Sequence, residues 1–306
     1  MQKDKTLKHL ALLFLLLLGT YSANAQIKYG FKIGLNFAHI AGPSETNTAG
    51  ENLETWKSNT GFHIGVTFSH RFTDNFGLRG EFLYSKLGSK YTFDGQSYRI
   101  FKASSGDVLT LGTSRYLINI NNSYIDIPIM AYGRFGDFEI SGGAYAGFMV
   151  QTAGEGSLRY SGKTKAGNNA YINPKASDTE LNFNLNYNYR KDDPGQGSSE
   201  TTNEAPVNVN VNGVISETPK TLGAYYDYPA GASRLYQGFD YGLMAGASYY
   251  ISRALYLSAR VQYGLADITR NSGDLSKANV GSNGEPIFRN DKDKNFAIQA
   301  SVGFTF

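Results

Sequence analysis

Cysteine is absent from all 306 residues. No disulfide can therefore staple a loop, and no N-terminal cysteine can carry a lipid anchor. Long apolar runs are missing too. After residues 10–18, nothing approaches the roughly 20 consecutive apolar residues of a membrane-spanning helix. Charge of one sign is equally scarce: 29 basic residues against 26 acidic ones give a formal charge of +3. Nothing in so even a balance points to nucleic acid or to a polybasic membrane anchor.

The first residues carry an export address. Lys3, Lys5 and Lys8 form a basic start, residues 10–18 an apolar core, and Ala23, Asn24 and Ala25 a small-residue cleavage site. Residues 1–25 are expected to be a removed signal peptide. Their loss takes away three Lys and Asp4, so the formal charge falls from +3 to +1. Residues 26–306 form the mature domain. If they enter a membrane they must do so as a closed sheet, because lipid satisfies no backbone hydrogen bonds.

A two-residue alternation of apolar and polar side chains recurs eight times. From Phe62 to Phe72 the even positions read Phe, Ile, Val, Phe, His, Phe, and from Phe296 to Phe306 every even position is apolar. Such a period means extended strands with one greasy and one wet face. Eight segments qualify: 27–40, 61–72, 76–90, one within 116–135, then 138–151, 239–251, 255–268 and 295–306. Each reaches the 9–11 residues that a tilted bilayer-spanning strand needs. Short turns (Thr73, Asp74, Asn75; Gly136, Asp137; Ser252, Arg253, Ala254) alternate with long polar segments at 41–60, 91–115, 152–238 and 269–294. Bacterial outer-membrane barrels show this asymmetry, with short periplasmic turns and long external loops. The expected fold is all-β, an eight-stranded antiparallel up-and-down transmembrane β-barrel with long extracellular loops. Aromatic residues collect at both strand ends, where interfacial girdles belong. Pro128 cannot donate a ladder hydrogen bond, so a bulge or widening is expected at residues 126–129.

The wet face lists what would fill the barrel. It carries four basic residues (Lys32, Arg79, Arg134, Arg260) and four acidic ones (Glu81, Asp126, Glu139, Asp240). Eight strands leave room only for side chains, and buried charges in that space must pair. A lumenal ion-pair network among these eight is the expectation, with Tyr124, Met130, Tyr132, Tyr145, Met149 and Met244 adding bulk. A selectivity filter or proton path is the alternative use of the same charges.

The 87-residue stretch 152–238 is read as one long extracellular insertion. Its alternating portions, 181–189 and 207–213, could pair as a projecting hairpin. A ten-stranded barrel is the other way to use them. Tyr225, Tyr226, Asp227 and Tyr228 are either a ligand platform or a packing cluster. Catalytic chemistry is thin. His63 and His70 share a strand but face opposite sides, so they cannot chelate one metal. No Ser or Asp is singled out beside a histidine. No cofactor, metal or enzyme activity is expected.

The strand sequences resemble the outer-membrane β-barrel family related to PorT in Bacteroidetes. The likeness rests on residues 30–40, on Tyr124, Asp126, Ile127 and Pro128 within 124–130, on 263–268, and on the terminal Gly303, Phe304, Thr305 and Phe306. It implies an eight-stranded barrel in the outer membrane of a Gram-negative bacterium, surrounded by lipid and inserted by the barrel-assembly machinery. PorT itself is associated with type IX secretion, a role that shared fold does not transfer. The leading expectation is a non-enzymatic barrel with a plugged lumen and external loops that contact a ligand or partner. A small porin or solute channel and an accessory of a type IX-like secretion system are the alternatives.

Overall fold

The computed structural model describes residues 27–103, 106–165, 171–172, 181–197, 202–203, 208–211, 214–217 and 220–306. The expected signal peptide lies outside them. Eight strands form one ring: β1 (Ile27–Ala41), β2 (Glu54–Arg71), β3 (Phe76–Ala103), β4 (Gly106–Phe135), β5 (Phe138–Lys165), β6 (Phe239–Tyr250), β7 (Leu255–Gly264) and β8 (Lys294–Thr305). Every strand pairs antiparallel with the next. The ring closes where β8 meets β1, from Gly30 opposite Thr305 to Ala41 opposite Lys294. β5 and β6 are neighbours despite the long insertion between them, pairing from Phe148 opposite Phe239 to Phe138 opposite Tyr249. No insertion strand among the described residues enters this ring, which β5 and β6 close directly, so the barrel has eight strands and not ten.

Alternation explains the ring's two faces. Along β1, Ile27, Tyr29, Phe31, Ile33, Leu35 and Phe37 point outward at 42–51% exposure, while Lys32 and Asn36 are buried. β2 repeats this with Phe62, Ile64, Val66 and Phe68 outside and His63 and Thr67 inside. A water-soluble protein would bury such a belt; here the belt is the exterior. The turns are as short as their residues allow. Gly136, at a φ of 63°, takes the left-handed conformation between Phe135 and Phe138.

Three strands outrun their expected ends. β3, β4 and β5 span 28, 30 and 28 residues, so residues 91–103 and 106–115 are two paired strand arms and not a loop. Tyr91 and Phe93 on β3 and Tyr116, Ile118 and Ile120 on β4 are buried, while Thr92, Asp94, Thr113 and Arg115 face outward. The alternation continues beyond the membrane with water on one side. That is why most of this stretch is polar on its outer face, Leu111 and Leu117 excepted. The segment Leu181–Asn188 adds a strand to the β5 extension, with Ala153 opposite Asn188 and Tyr160 opposite Leu181. It does not pair with 207–213 as the sequence suggested; Asn208–Val211 instead pairs with Val214–Glu217.

Pro128 disturbs its ladder without shifting it. The β3–β4 pairing runs from Gly80 opposite Ile129 directly to Leu83 opposite Asp126, omitting the two intervening pairs. The register shift lies earlier and on the other side, at Ser123 and Tyr124 against β5. A ring without a free edge thus absorbs the missing donor as a local widening.

Candidate functional site

The interior is built from the inward positions of all eight strands. Glu81 on β3 sits at its centre. Its carboxylate accepts from Lys32 Nζ on β1 at 3.1 Å and from Arg260 Nη1 on β7 at 2.6 Å. β3 and β7 are four strands apart in a ring of eight, so the second pair crosses the full bore. Arg260 also donates to Gln299, which donates to Gln262 at 3.0 Å.

One layer nearer the short turns, Arg79 grips Glu139 on β5 with two hydrogen bonds of 2.7 and 2.9 Å. Tyr250 on β6 lies 3.1 Å from both partners, and the Arg79 guanidinium also sits over the Tyr132 and Tyr256 rings. Tyr256 in turn occupies the space beside Gly303, where a Cβ would lie 2.0 Å from its ring. Two-point guanidinium–carboxylate geometry is the strongest form of such a pair.

Toward the long-loop end the ties become neutral. Asn295 on β8 donates to Tyr124 on β4 at 3.1 Å, again between strands four apart, and to Asp240 at 2.9 Å. Tyr145 donates to Asp240 at 2.8 Å. His63 bridges Asn36 at 2.7 Å and Ser301 at 2.9 Å, facing inward.

Five of the eight charged residues anticipated from the sequence therefore meet in ion pairs: Lys32, Arg79, Glu81, Glu139 and Arg260. The other three do not. Arg134 ends β4 at the rim, where it donates to the Gly136 carbonyl and stacks 3.5 Å from the Tyr250 ring centre. Water reaches it there, so it needs no counter-ion. Asp240 is held by a phenol and an amide in place of a cation. Asp126 is 1% exposed and pairs with no cation among the described residues; the Ser85 hydroxyl lies beside it.

A second assembly stands above the lumen, and sequence reasoning missed it. The extensions of β3, β4 and β5, with Leu181–Asn188, form a sheet covered by residues 220–238 and 269–288. Its core contains Phe93, Leu158, Phe183, Leu185, Leu222 and Leu275. Arg99, 1% exposed, pairs there with Asp227 at 2.8 Å and donates to Tyr116 at 2.9 Å. Tyr225, Tyr226 and Tyr228 are buried in this core, so they are no exposed platform. Tyr225 donates to the Tyr189 carbonyl at 2.7 Å and Tyr228 to the Gly273 carbonyl at 2.9 Å.

An acidic cluster braces one side of the same assembly. Arg289 contacts Glu54 at 2.8 Å, Asp291, and Asp274 at 3.9 Å. Asp274, Asp291 and Asp293 bring their carboxylate oxygens within 4.8 Å of one another. Burial pushes Asp274 up to about 7 and Asp293 up to about 6, each helped by the neighbouring charge of Asp291.

A closed ring with a greasy exterior and an ionic interior has few homes, and the family comparison names one. Residues 22–270 match the model described as outer membrane protein beta-barrel domain. The chain belongs to this outer-membrane β-barrel family. The match ends before β8, the strand that closes the ring. Its outward rows are accordingly transmembrane strands in an outer membrane. No curated protein matches the sequence significantly. Among solved structures, the barrel is similar to the attachment invasion locus protein Ail of Yersinia pestis, crystallised with the heparin analogue sucrose octasulfate (11% identity, TM-score 0.33, 92% of this chain and 99% of that one). Neisserial surface protein A is similar at 12% identity and TM-score 0.30, covering 91% and 97%. The outer membrane protease OmpT from Escherichia coli follows at 9% and 0.27, covering 94% and 98%.

Proposed function

We propose that this outer-membrane barrel is a non-enzymatic, non-conducting anchor whose long-loop assembly faces the outside and contacts a ligand or partner. The observation that carries this reading is the Arg260–Glu81 pair, a 2.6 Å contact between strands on opposite sides of the bore. Two more contacts between opposite strands, Arg79 over Tyr256 and Asn295 to Tyr124, cross it at other depths. An open water channel needs its centre free of such ties. The investment of chain is on the other end, where strands, loops and an apolar core continuous with the upper lumen stand above the lipid belt. Of the three remaining network members, Arg134 lies at the rim, Asp240 is held by Tyr145 and Asn295, and Asp126 is buried in the bore without a cation partner.

The signal peptide over residues 1–25 and insertion by the barrel-assembly machinery belong to this reading, as does descent from the PorT-related branch. Secretion accessory work is the second reading, favoured only by that resemblance. The test is conductance of purified protein in planar bilayers, joined to protease shaving of intact cells. Silent bilayers and cleavage within the long-loop assembly are expected. A stable open pore refutes the plug, and full protection of that assembly refutes its outward placement. Blocked export of other proteins on deletion would favour the secretion reading.

A further inference from the structure

Just above the lipid belt, three lysines share one outward patch. Lys57 on β2 stands directly opposite Lys90 on β3, and Lys86 lies four residues below Lys90 on the same strand. Gly88 between them carries no side chain, and beside it Asn59 reaches from β2 to Asn121 on β4 at 3.4 Å. Like charges directly opposite each other destabilise a sheet, so this patch calls for a counter-charge. The chain supplies none. Among the described residues, no acid forms an ion pair with any of the three. Asp94, four residues above Lys90, is already paired with Arg115 at 3.6 Å, and Glu155 lies two strands from Lys90, beyond Asn119. Lys86 and Lys90 are about 13 Å apart along β3, and Lys57 is about 5 Å from Lys90 across the ladder. All three flexible stems can therefore reach one anionic group seated over Gly88.

The patch runs on into the lipid-facing surface. Asn36 donates to the carbonyls of Phe62 and Lys86, each at 3.0 Å, so these two residues stand side by side. From Phe62 a furrow of about 780 Å³ leads around the belt between Leu35, Leu257 and Tyr249. Small residues in register form its floor: Ala300 opposite Leu35, Ala259 opposite Ala300, and Ala247 opposite Ala259. Ala300 is midway between Phe296 and Phe304, while Ala247 is two residues from Tyr249 at the short-turn end. The row therefore descends from the upper edge through the middle of the belt. Three strand spacings from Phe62 to Ala259 make about 14 Å, close to half of the roughly 30 Å hydrocarbon core and the reach of one acyl chain. Height selects the kind of lipid. Lys86 is two residues and Lys90 six residues beyond Tyr84 at the aromatic edge, about 5 and 15 Å above it. A phospholipid headgroup layer about 5–8 Å thick meets Lys86 and leaves Lys57 and Lys90 above it. A lipid whose phosphates are carried on sugars stands taller and meets all three.

We propose that patch and furrow together bind one phosphorylated glycolipid of the outer leaflet, its phosphate on Lys57, Lys86 and Lys90 and one acyl chain along the alanine row. The proposal rests on the outward placement of the long-loop end, which puts the lysines in that leaflet. Native mass spectrometry of the purified barrel in detergent tests it, with bisphosphorylated lipid A, dephosphorylated lipid A, phosphatidylglycerol and inorganic phosphate titrated separately. Bisphosphorylated lipid A is expected to bind roughly tenfold more tightly than each of the others, or better. Replacing the trio together (Lys57→Gln, Lys86→Gln, Lys90→Gln) should cost roughly tenfold in that affinity. None of the three lysines is buried, so the heat-dependent gel shift should persist. A second variant, Ala259→Phe with Ala300→Phe, fills the furrow without touching the lysines and should weaken the same lipid by a similar factor. Equal binding of phosphatidylglycerol, of dephosphorylated lipid A or of free phosphate, or unchanged affinity in either variant, would overturn the proposal. Protease shaving of intact cells reports separately on the outward placement.

Discussion

Replacing Glu81 tests the lumen at its centre. One carboxylate serves two cations, and Lys32 and Arg260 are 2% and 4% exposed. Glu81→Gln leaves an amide oxygen for one of them and removes the charge both depend on. Breaking a buried pair by deleting one member costs about 3–5 kcal/mol, and here two partners are stranded, so the upper part of that range is expected. Substituting all three residues together (Lys32→Met, Glu81→Leu, Arg260→Met) removes the stranded charges as well. Apolar replacements of a whole buried ionic group are often neutral, so the triple variant should recover most of the loss. The assay is urea unfolding in detergent micelles, followed by circular dichroism and by gel mobility of unboiled samples. The single tryptophan, Trp56, sits in the long-loop assembly beside Tyr91 and reports that region independently. A Glu81→Gln variant within about 1 kcal/mol of the parent, or a triple variant no better than the single one, would refute the ionic-centre argument.

Asp126→Asn should leave stability unchanged or raise it by about 1 kcal/mol in the same assay, because the native carboxylate is buried without a cation partner. Asp227→Ala strands Arg99 in the outer core and should cost about 3–5 kcal/mol there, read as rapid proteolysis of the long-loop assembly while the membrane-embedded ring stays resistant. Titration of the acidic cluster gives a pH dependence with a fixed sign. Asp274 and Asp293 hold protons more tightly in the folded state, at about 7 and about 6, than in the unfolded chain. Their stabilising contribution is present below about pH 4 and is lost as pH climbs through 6 and 7. Amide exchange around residues 274–293 should therefore be slower at pH 5 than at pH 8, after correction for intrinsic rates; the reverse order would contradict the assignment.

The membrane-embedded half was legible because lipid imposes a strict two-residue code. Phe62 to Phe72 and Phe296 to Phe306 could hardly fold otherwise, and the short turns fixed which ends lie together. The β3–β5 extensions were not legible. Their outer face meets water, so Thr92, Asp94 and Gln96 read as loop, and the buried partners Tyr91 and Phe93 looked like isolated aromatics. Membership of the lumen could be listed from parity alone, but pairing could not. Arg260 meets Glu81 across 179 residues of sequence, and nothing local distinguishes it from Arg134, which has the right parity yet ends at the rim. Arg99 and Asp227 escaped for the same reason: their contact exists only after residues 220–238 fold down onto the extended sheet.

The overlong β3–β4 hairpin sets a physical height. Some seventeen residues follow the last lipid-facing aromatic position of β3, Tyr84, and its neighbouring Lys86 before the strand ends at Ala103. At about 3.3 Å per residue and a tilt near 40°, that places Ala103 about 40 Å beyond the aromatic edge of the lipid belt. A macromolecule or cell approaching from that side would touch this mast before it could reach the bilayer.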